Sequence, residues 1–138
     1  MGAMGVGTFE DDTALDWLEE EYAGAGVEAV RAALQDVADL EPGDYLDLDM
    51  GSAARAAAEI VALAFDAGGD LGSDVAETVG EHADQVAEHD DLPAMALVAL
   101  ARISGDASEM AVLWADSGDS AAWDDAMADL VARLEGVK

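Results

Sequence analysis

Ser52-Ala-Ala-Arg-Ala-Ala-Ala-Glu-Ile-Val-Ala-Leu-Ala-Phe-Asp-Ala67 is apolar on nearly every side. Alanine has the highest helix propensity of any residue, and the run contains neither glycine nor proline until Gly68-Gly69 closes it. A strand would show a period of two, and none is present. The stretch therefore predicts a helix over Ser52 to Ala67, buried all round, because a helix apolar on all faces can hide them only among other elements. That requirement for neighbours on every side sets the fold class.

Outward from this helix the chain supplies the neighbours. Upstream, Thr13-Ala-Leu-Asp16 has the spacing of a capping box, and Leu15, Leu18 and Tyr22 follow on one helical face until Gly24-Ala-Gly26. Val27, Val30, Leu34 and Val37 form the next stripe, stopped at Glu41-Pro42-Gly43. Tyr45-Leu-Asp-Leu-Asp-Met50 is the one stretch with strand-like alternation. Downstream, a helix from Ser73 or Asp74 places Val75, Val79, His82 and Val86 on one side. Pro93, tolerated in a first helical turn, opens an apolar helix through Met95, Leu97, Val98, Leu100, Ala101 and Ile103. Asp106-Ala-Ser-Glu109 has capping-box spacing ahead of Met110, Val112, Leu113 and Trp114, and a last helix presents Trp123, Met127, Leu130 and Leu134. The expectation is one compact all-α domain over residues 1–138, with six or seven short helices. The alanine-rich third helix and the fifth are expected at its centre, and residues 1–11 form a glycine-rich lead.

Charge is the other dominant feature. Of 138 residues, 32 are acidic and five are Lys or Arg, for a formal net charge of −27. The bulk surface of such a chain repels phosphates, which excludes direct binding of nucleic acid or of an anionic membrane. Without cysteine there is no disulfide and no thiolate metal site. No apolar run approaches the roughly 18 residues of a membrane span. Met1 to Gly7 lacks the basic region of a targeting peptide, so the chain is expected to be cytoplasmic. Leu, Ile, Val and Phe make up about 22% of the chain, just above the ~20% below which highly charged chains are disordered. Their helical spacing and the presence of aromatic residues favour folding.

Aspartate outnumbers glutamate 20 to 12, and Lys138 is the only lysine. A globule of this mass exposes about 6,700 Å², which puts the net charges roughly 16 Å apart. That is about two Debye lengths at 0.15 M salt and about five at 1 M. Acids occur in every segment rather than in one block, which favours adaptation to a high-salt solvent over a single evolved patch. A basic protein partner is the competing explanation.

The opening Met1-Gly-Ala-Met-Gly-Val-Gly-Thr-Phe-Glu-Asp-Asp-Thr-Ala-Leu-Asp-Trp17 resembles the start of domain-of-unknown-function family 4259, a bacterial family of small proteins. Ala56-Ala-Ala-Glu59-Ile-Val-Ala and Ser108-Glu-Met-Ala-Val-Leu-Trp114, with Trp123 nine residues on, are similar too. The resemblance covers essentially the whole chain and departs at Met4, where the family pattern has tryptophan. It implies a single folded domain and no particular activity, so no catalytic residues come with it.

Among candidate site residues, Glu59 stands out because it lies inside the helix expected to be buried, four residues after Arg55. A buried carboxylate needs a partner or a raised pKa. Arg102 occupies a similar place in the fifth helix. The structural expectation is that Glu59 bridges Arg55 or Arg102. The alternative is a polar core pocket in which Glu59, Arg55 and Arg102 bind a ligand or act as an enzyme site.

Glu10, Asp11, Asp12 and Asp16 sit where a helix N-terminus favours carboxylates, and they are also a candidate partner surface. Asp66, Asp70, Asp74 and Glu77 match four positions of a calcium loop. Gly68 and Leu71 stand where a ligand and a glycine are needed, so no metal is expected. His82 and His89 lie two turns apart, too far to share an ion. The sequence thus predicts a non-enzymatic interaction or inhibitor-type protein without a cofactor.

Overall fold

The computed structural model describes residues 9, 12–41, 43–68, 73–105 and 107–137. Within them the chain runs through α1 (residues 12–25), α2 (Val27–Ala38), α3 (Leu48–Ala64), α4 (Ser73–Gly80), α5 (Ala83–Val86), α6 (Leu92–Ile103), α7 (Glu109–Asp116) and α8 (Ser120–Glu135). These eight helices, one of them a single turn, exceed the six or seven read from the sequence. The difference arises at Glu81-His82, where the expected fourth helix breaks into α4 and α5. No strand forms among the described residues. Leu46 makes only an isolated parallel bridge to Ser108, its N–H donating to Ala107 O at 2.7 Å and its carbonyl accepting from Glu109 N at 2.9 Å.

Eleven of the 17 residues of α3 are buried, from Gly51 through Ala62. The helix packs against α1, α2, α5, α6, α7 and α8. Alanine at 54, 56, 57, 58 and 62, each fully buried, presents only a methyl group there, which leaves room for neighbours to pack around the helix. It begins four residues before the expected start. Asp47 accepts from Met50 N at 2.9 Å as an N-cap, and Glu109 on α7 accepts from Leu48 N at 2.9 Å. The alternating Leu-Asp-Leu-Asp stretch is thus a helix start rather than a strand.

Its far end stops before the glycine pair. Asp66 adopts φ +62°, Ala67 N donates to Ala62 O at 2.7 Å, and Asp66 N donates to Leu63 O at 3.2 Å. This is a Schellman motif with aspartate in the place glycine usually takes.

The other helices bury stripes at helical period. Val30, Leu34 and Val37 of α2 meet α3 and α6, and Trp123, Met127, Leu130 and Leu134 of α8 are each at most 3% exposed. On α1 the buried positions are Ala14, Leu18 and Tyr22, with Leu15 only half-buried. The helix is α-helical at Asp12–Trp17, widens to a π-helix at Leu18–Tyr22, and returns to α at Ala23–Ala25. That widening turns the stripe away from Leu15. α6, although apolar nearly throughout, buries one face and leaves Val98 54% exposed.

Gly26 joins α1 to α2 at φ +61°, ψ −126°, a conformation open to glycine. A Cβ there would stand 2.9 Å from His82 Cγ. Tight turn and close approach coincide at this residue.

Candidate functional site

Two places in the fold concentrate chemistry: the charged groups along α3, and an open groove beside it. In the first, α3 carries Arg55 and Glu59 one turn apart, 4% and 5% exposed. Glu59 meets an arginine that sequence reasoning missed. Arg133 Nη1 on α8 donates to Glu59 Oε2 at 2.9 Å and to Ala67 O at 3.1 Å, and its Nε donates to Asp129 Oδ2 at 2.9 Å. Burial pulls the Arg133 guanidinium down, but the hydrogen bonds and charges of Glu59 and Asp129 outweigh it and leave its pKa raised. One guanidinium thus ties the middle of α3, the end of its Schellman turn and the last helix together. The signal for it was available. Arg133 lies between the buried Leu130 and Leu134 and forms an i, i+4 pair with Asp129.

Arg102 does something else. Its Nη2 donates to the carbonyls of Glu41, at 3.1 Å, and of Asp44. It clamps the end of α6 to the segment between α2 and α3. Arg31 makes a two-pronged pair with Asp91 at 2.7 and 3.0 Å, and its Nη2 lies 3.2 Å from His89 Nδ1. Because guanidinium only donates, that ring nitrogen is the acceptor. Arg31's hydrogen bond and charge hold Asp91 below its ordinary value.

His82 is separate. Its Nε2 lies 3.1 Å from Ala23 O, and its ring meets Tyr22 edge-on with centroids 5.3 Å apart. The Tyr22 hydroxyl donates to Val79 O at 2.6 Å. Burial pushes its pKa up to about 12, against a lowering from the His82 backbone and with a further rise from Glu81.

Among the described residues no group of three or more histidine or acidic side chains is placed to hold a metal ion. Of the calcium-loop candidates, Asp66 forms the end of α3 and Asp74 and Glu77 are exposed on α4, while Asp70 lies outside the described residues. Of the expected partner surface, Asp12 and Asp16 are exposed on α1, and Glu10 and Asp11 lie outside the described residues. No described helix is long and apolar enough to cross a membrane.

The groove lies between α1, α2 and α3 and encloses about 380 Å³. Its floor and walls are Trp17, Ala29, Ala32, Ala33, Met50 and Ala53, and its rim carries Glu21, Asp36 and Asp49. A second surface depression, between α1 and α4, encloses about 430 Å³ against Leu15, Leu18 and Val75, with Glu19 and Asp74 at its edge. Both combine apolar side chains with exposed carboxylates, and the second is lined by Ser73 and Thr78 as well.

Compared with known proteins, residues 2–126 match the model of a domain of unknown function, DUF4259. The chain belongs to the DUF4259 family. Neither the curated proteins nor the solved structures give a match. Every residue of the groove and Glu59 lie inside the DUF4259 match, whereas Arg133 lies beyond its end. The tie between α3 and α8 therefore joins the DUF4259 region to the last turns of this chain.

Proposed function

We propose that this DUF4259 chain is a non-enzymatic binding protein of the cytoplasm that engages a basic protein, its general acidity serving a high-salt solvent. The observation that supports this most is the division of labour among its charges. Glu59, in the interior, is engaged by Arg133, and half-buried Arg102 by backbone carbonyls, so these groups serve to hold helices together. Outside, two concave surfaces combine apolar lining with exposed carboxylates. A surface of that kind attracts cationic partners over distance and repels polyanions. The acids Glu10, Asp11, Asp12 and Asp16 belong to the surface assigned to that partner. The alternative, a ligand pocket around Glu59, Arg55 and Arg102, needs these three groups to face a common space. Arg133, which holds Glu59, lies on α8, and the carbonyls that hold Arg102 lie in the 41–44 segment.

The test is affinity capture from native lysate with the immobilised chain at 0.15 M and 2 M NaCl. Proteins rich in Lys and Arg should be enriched at the lower salt. Equal recovery of acidic and basic proteins at both salts would overturn the proposal.

A further inference from the structure

We infer that the groove between α1, α2 and α3 seats a cationic amphipathic helix of the partner protein. This rests on the binding-protein reading and adds the place and the shape of the ligand. The floor is built by α2, whose core face carries Val30, Leu34 and Val37. Beside that face, Ala29, Ala32 and Ala33 present only methyl groups to the trough at helical spacing. Trp17 on α1 and Met50 on α3, both half-buried against the core, form its walls. Met50 is adaptable in shape and suits an apolar contact that must adjust to its ligand.

The rim fixes the sign of the occupant. Glu21, Asp36 and Asp49 are all exposed, and no ion pair to them forms among the described residues. Arg31 and Arg133 are committed to Asp91, and to Glu59 and Asp129, while Arg102 is held by the Glu41 and Asp44 carbonyls. Three carboxylates thus surround an apolar trough that the described part of the chain does not neutralise. The complementary ligand presents apolar side chains along one stripe and Arg or Lys on both flanks.

A helix meets that description. Without a sheet edge among the described residues, a peptide cannot dock there as an added strand. An apolar groove between helices is the setting for an amphipathic helix read at i, i+4 and i+7. An alkyl polyamine would satisfy the rim but bring only short methylene runs to the floor and Trp17, with no branched side chain to fill the groove.

The test uses the full chain and a fluorescently labelled synthetic peptide of about 15 residues, the length at which an isolated helix becomes marginally stable. It carries Leu at i, i+4, i+7 and i+11 and Arg on the flanks. The comparison ligands are the same composition scrambled to destroy the period, and spermine.

By anisotropy at 0.15 M NaCl, the amphipathic peptide should bind about tenfold more tightly than the scramble, and spermine should displace it only weakly. Glu21→Gln, Asp36→Asn and Asp49→Asn together should weaken binding about tenfold, since each exposed pair contributes modestly. Ala32→Phe, at an exposed position on the floor, should weaken it similarly. Removing three acids on α7 and α8, with Asp116→Asn, Asp124→Asn and Asp125→Asn, should change affinity by less than about threefold. Circular dichroism confirms that each variant is folded.

Equal binding of peptide and scramble, or equal loss from both acid triples, would overturn the groove and leave the broader binding proposal standing. Displacement by spermine at matching affinity would overturn the helix as occupant. No binding of either peptide would overturn the inference, and lysate capture would then decide the broader reading alone.

Discussion

At the residue scale, the charge that most needed explanation is Glu59, 5% exposed on the most buried helix. Its Arg133 partner supplies both charge and a second tie, to Ala67 O. Removing one partner of a buried pair leaves the other's desolvation in place. Arg133→Ala should therefore lower stability by about 3 kcal/mol. Glu59→Gln, which keeps an acceptor for the guanidinium, should cost about 1 kcal/mol. Urea unfolding of both variants checks the order: a Glu59→Gln loss as large as that of Arg133→Ala would show that the charge of Glu59 rather than its acceptor oxygen carries the tie, and a negligible loss in Arg133→Ala would count against the pair.

Gly26 is the second decisive residue. Gly26→Ala forces a Cβ into a glycine conformation and against His82, and should cost roughly 1–3 kcal/mol. Its unfolding midpoint compared with that of Gly24→Ala, where a Cβ meets nothing within 4 Å, isolates the effect.

Tyr22 makes a pH prediction. A phenol that ionises near 10 in the unfolded chain and at about 12 in the fold gives stability that is complete below pH 10. That stability is lost as pH rises from 10 through 12, on the order of 2–3 kcal/mol in all. Melting temperature from pH 8 to 12 should fall steeply above 10 in the wild type and less in Tyr22→Phe.

Among elements, the question is what starts and stops each helix. Two acceptors from different parts of the chain, Asp47 and Glu109, meet the first amides of α3. Asp47→Ala and Glu109→Ala should each cost about 1 kcal/mol and speed hydrogen exchange at Met50 and Leu48 respectively. Unchanged exchange at those amides would show that α3 starts without them.

These contacts also mark how far the sequence could be read. The apolar stripe of α8 was legible because all four of its members follow a single period. The burial of α3 was legible because alanine leaves no polar face. The start of α3 was not, because alternating leucine and aspartate fits both a strand and a capped first turn, and the deciding acceptor, Glu109, comes from 61 residues away. For the same reason Glu109 serves α3 rather than a capping box on its own helix, where Ser108 is the cap. The π-turn in α1 has no local signature, so Leu15 was placed on the buried face and Ala14 took the position. Glu59 was recognisable as a buried charge, but choosing among four arginines requires knowing that α8 crosses α3.

For the whole molecule, the surface and its charge must be considered together. The exposed area is 6962 Å². Mass scaling for a compact globule gives roughly 6,700 Å², so the fold hides what a domain of this size is expected to hide. The net charge of −27 is distributed over that area. Its mean spacing is roughly 16 Å. The described fold neutralises few of these charges: its arginines form pairs with Asp91, Glu59 and Asp129. Most acids therefore repel one another across solvent, and unfolding moves them apart. Salt should relieve that repulsion in a characteristic way. The Debye length falls from about 8 Å at 0.15 M to about 3 Å at 1 M, so the gain should be steep at first and then level off. From 0.1 to 1 M NaCl we expect a stabilisation of about 1–2 kcal/mol, roughly 5 °C in melting temperature. A strictly linear rise through 3 M would indicate salting-out of apolar surface instead, and a flat curve would remove the solvent explanation of the acidity. The ion pairs predict the opposite trend locally. The Arg31–Asp91 pair is exposed and should weaken with salt. Arg133–Glu59, shielded between α3 and α8, should persist. The loss in Arg31→Ala should therefore vanish by 1 M NaCl while that in Arg133→Ala remains, and parallel melting curves of the two variants across the salt series measure both.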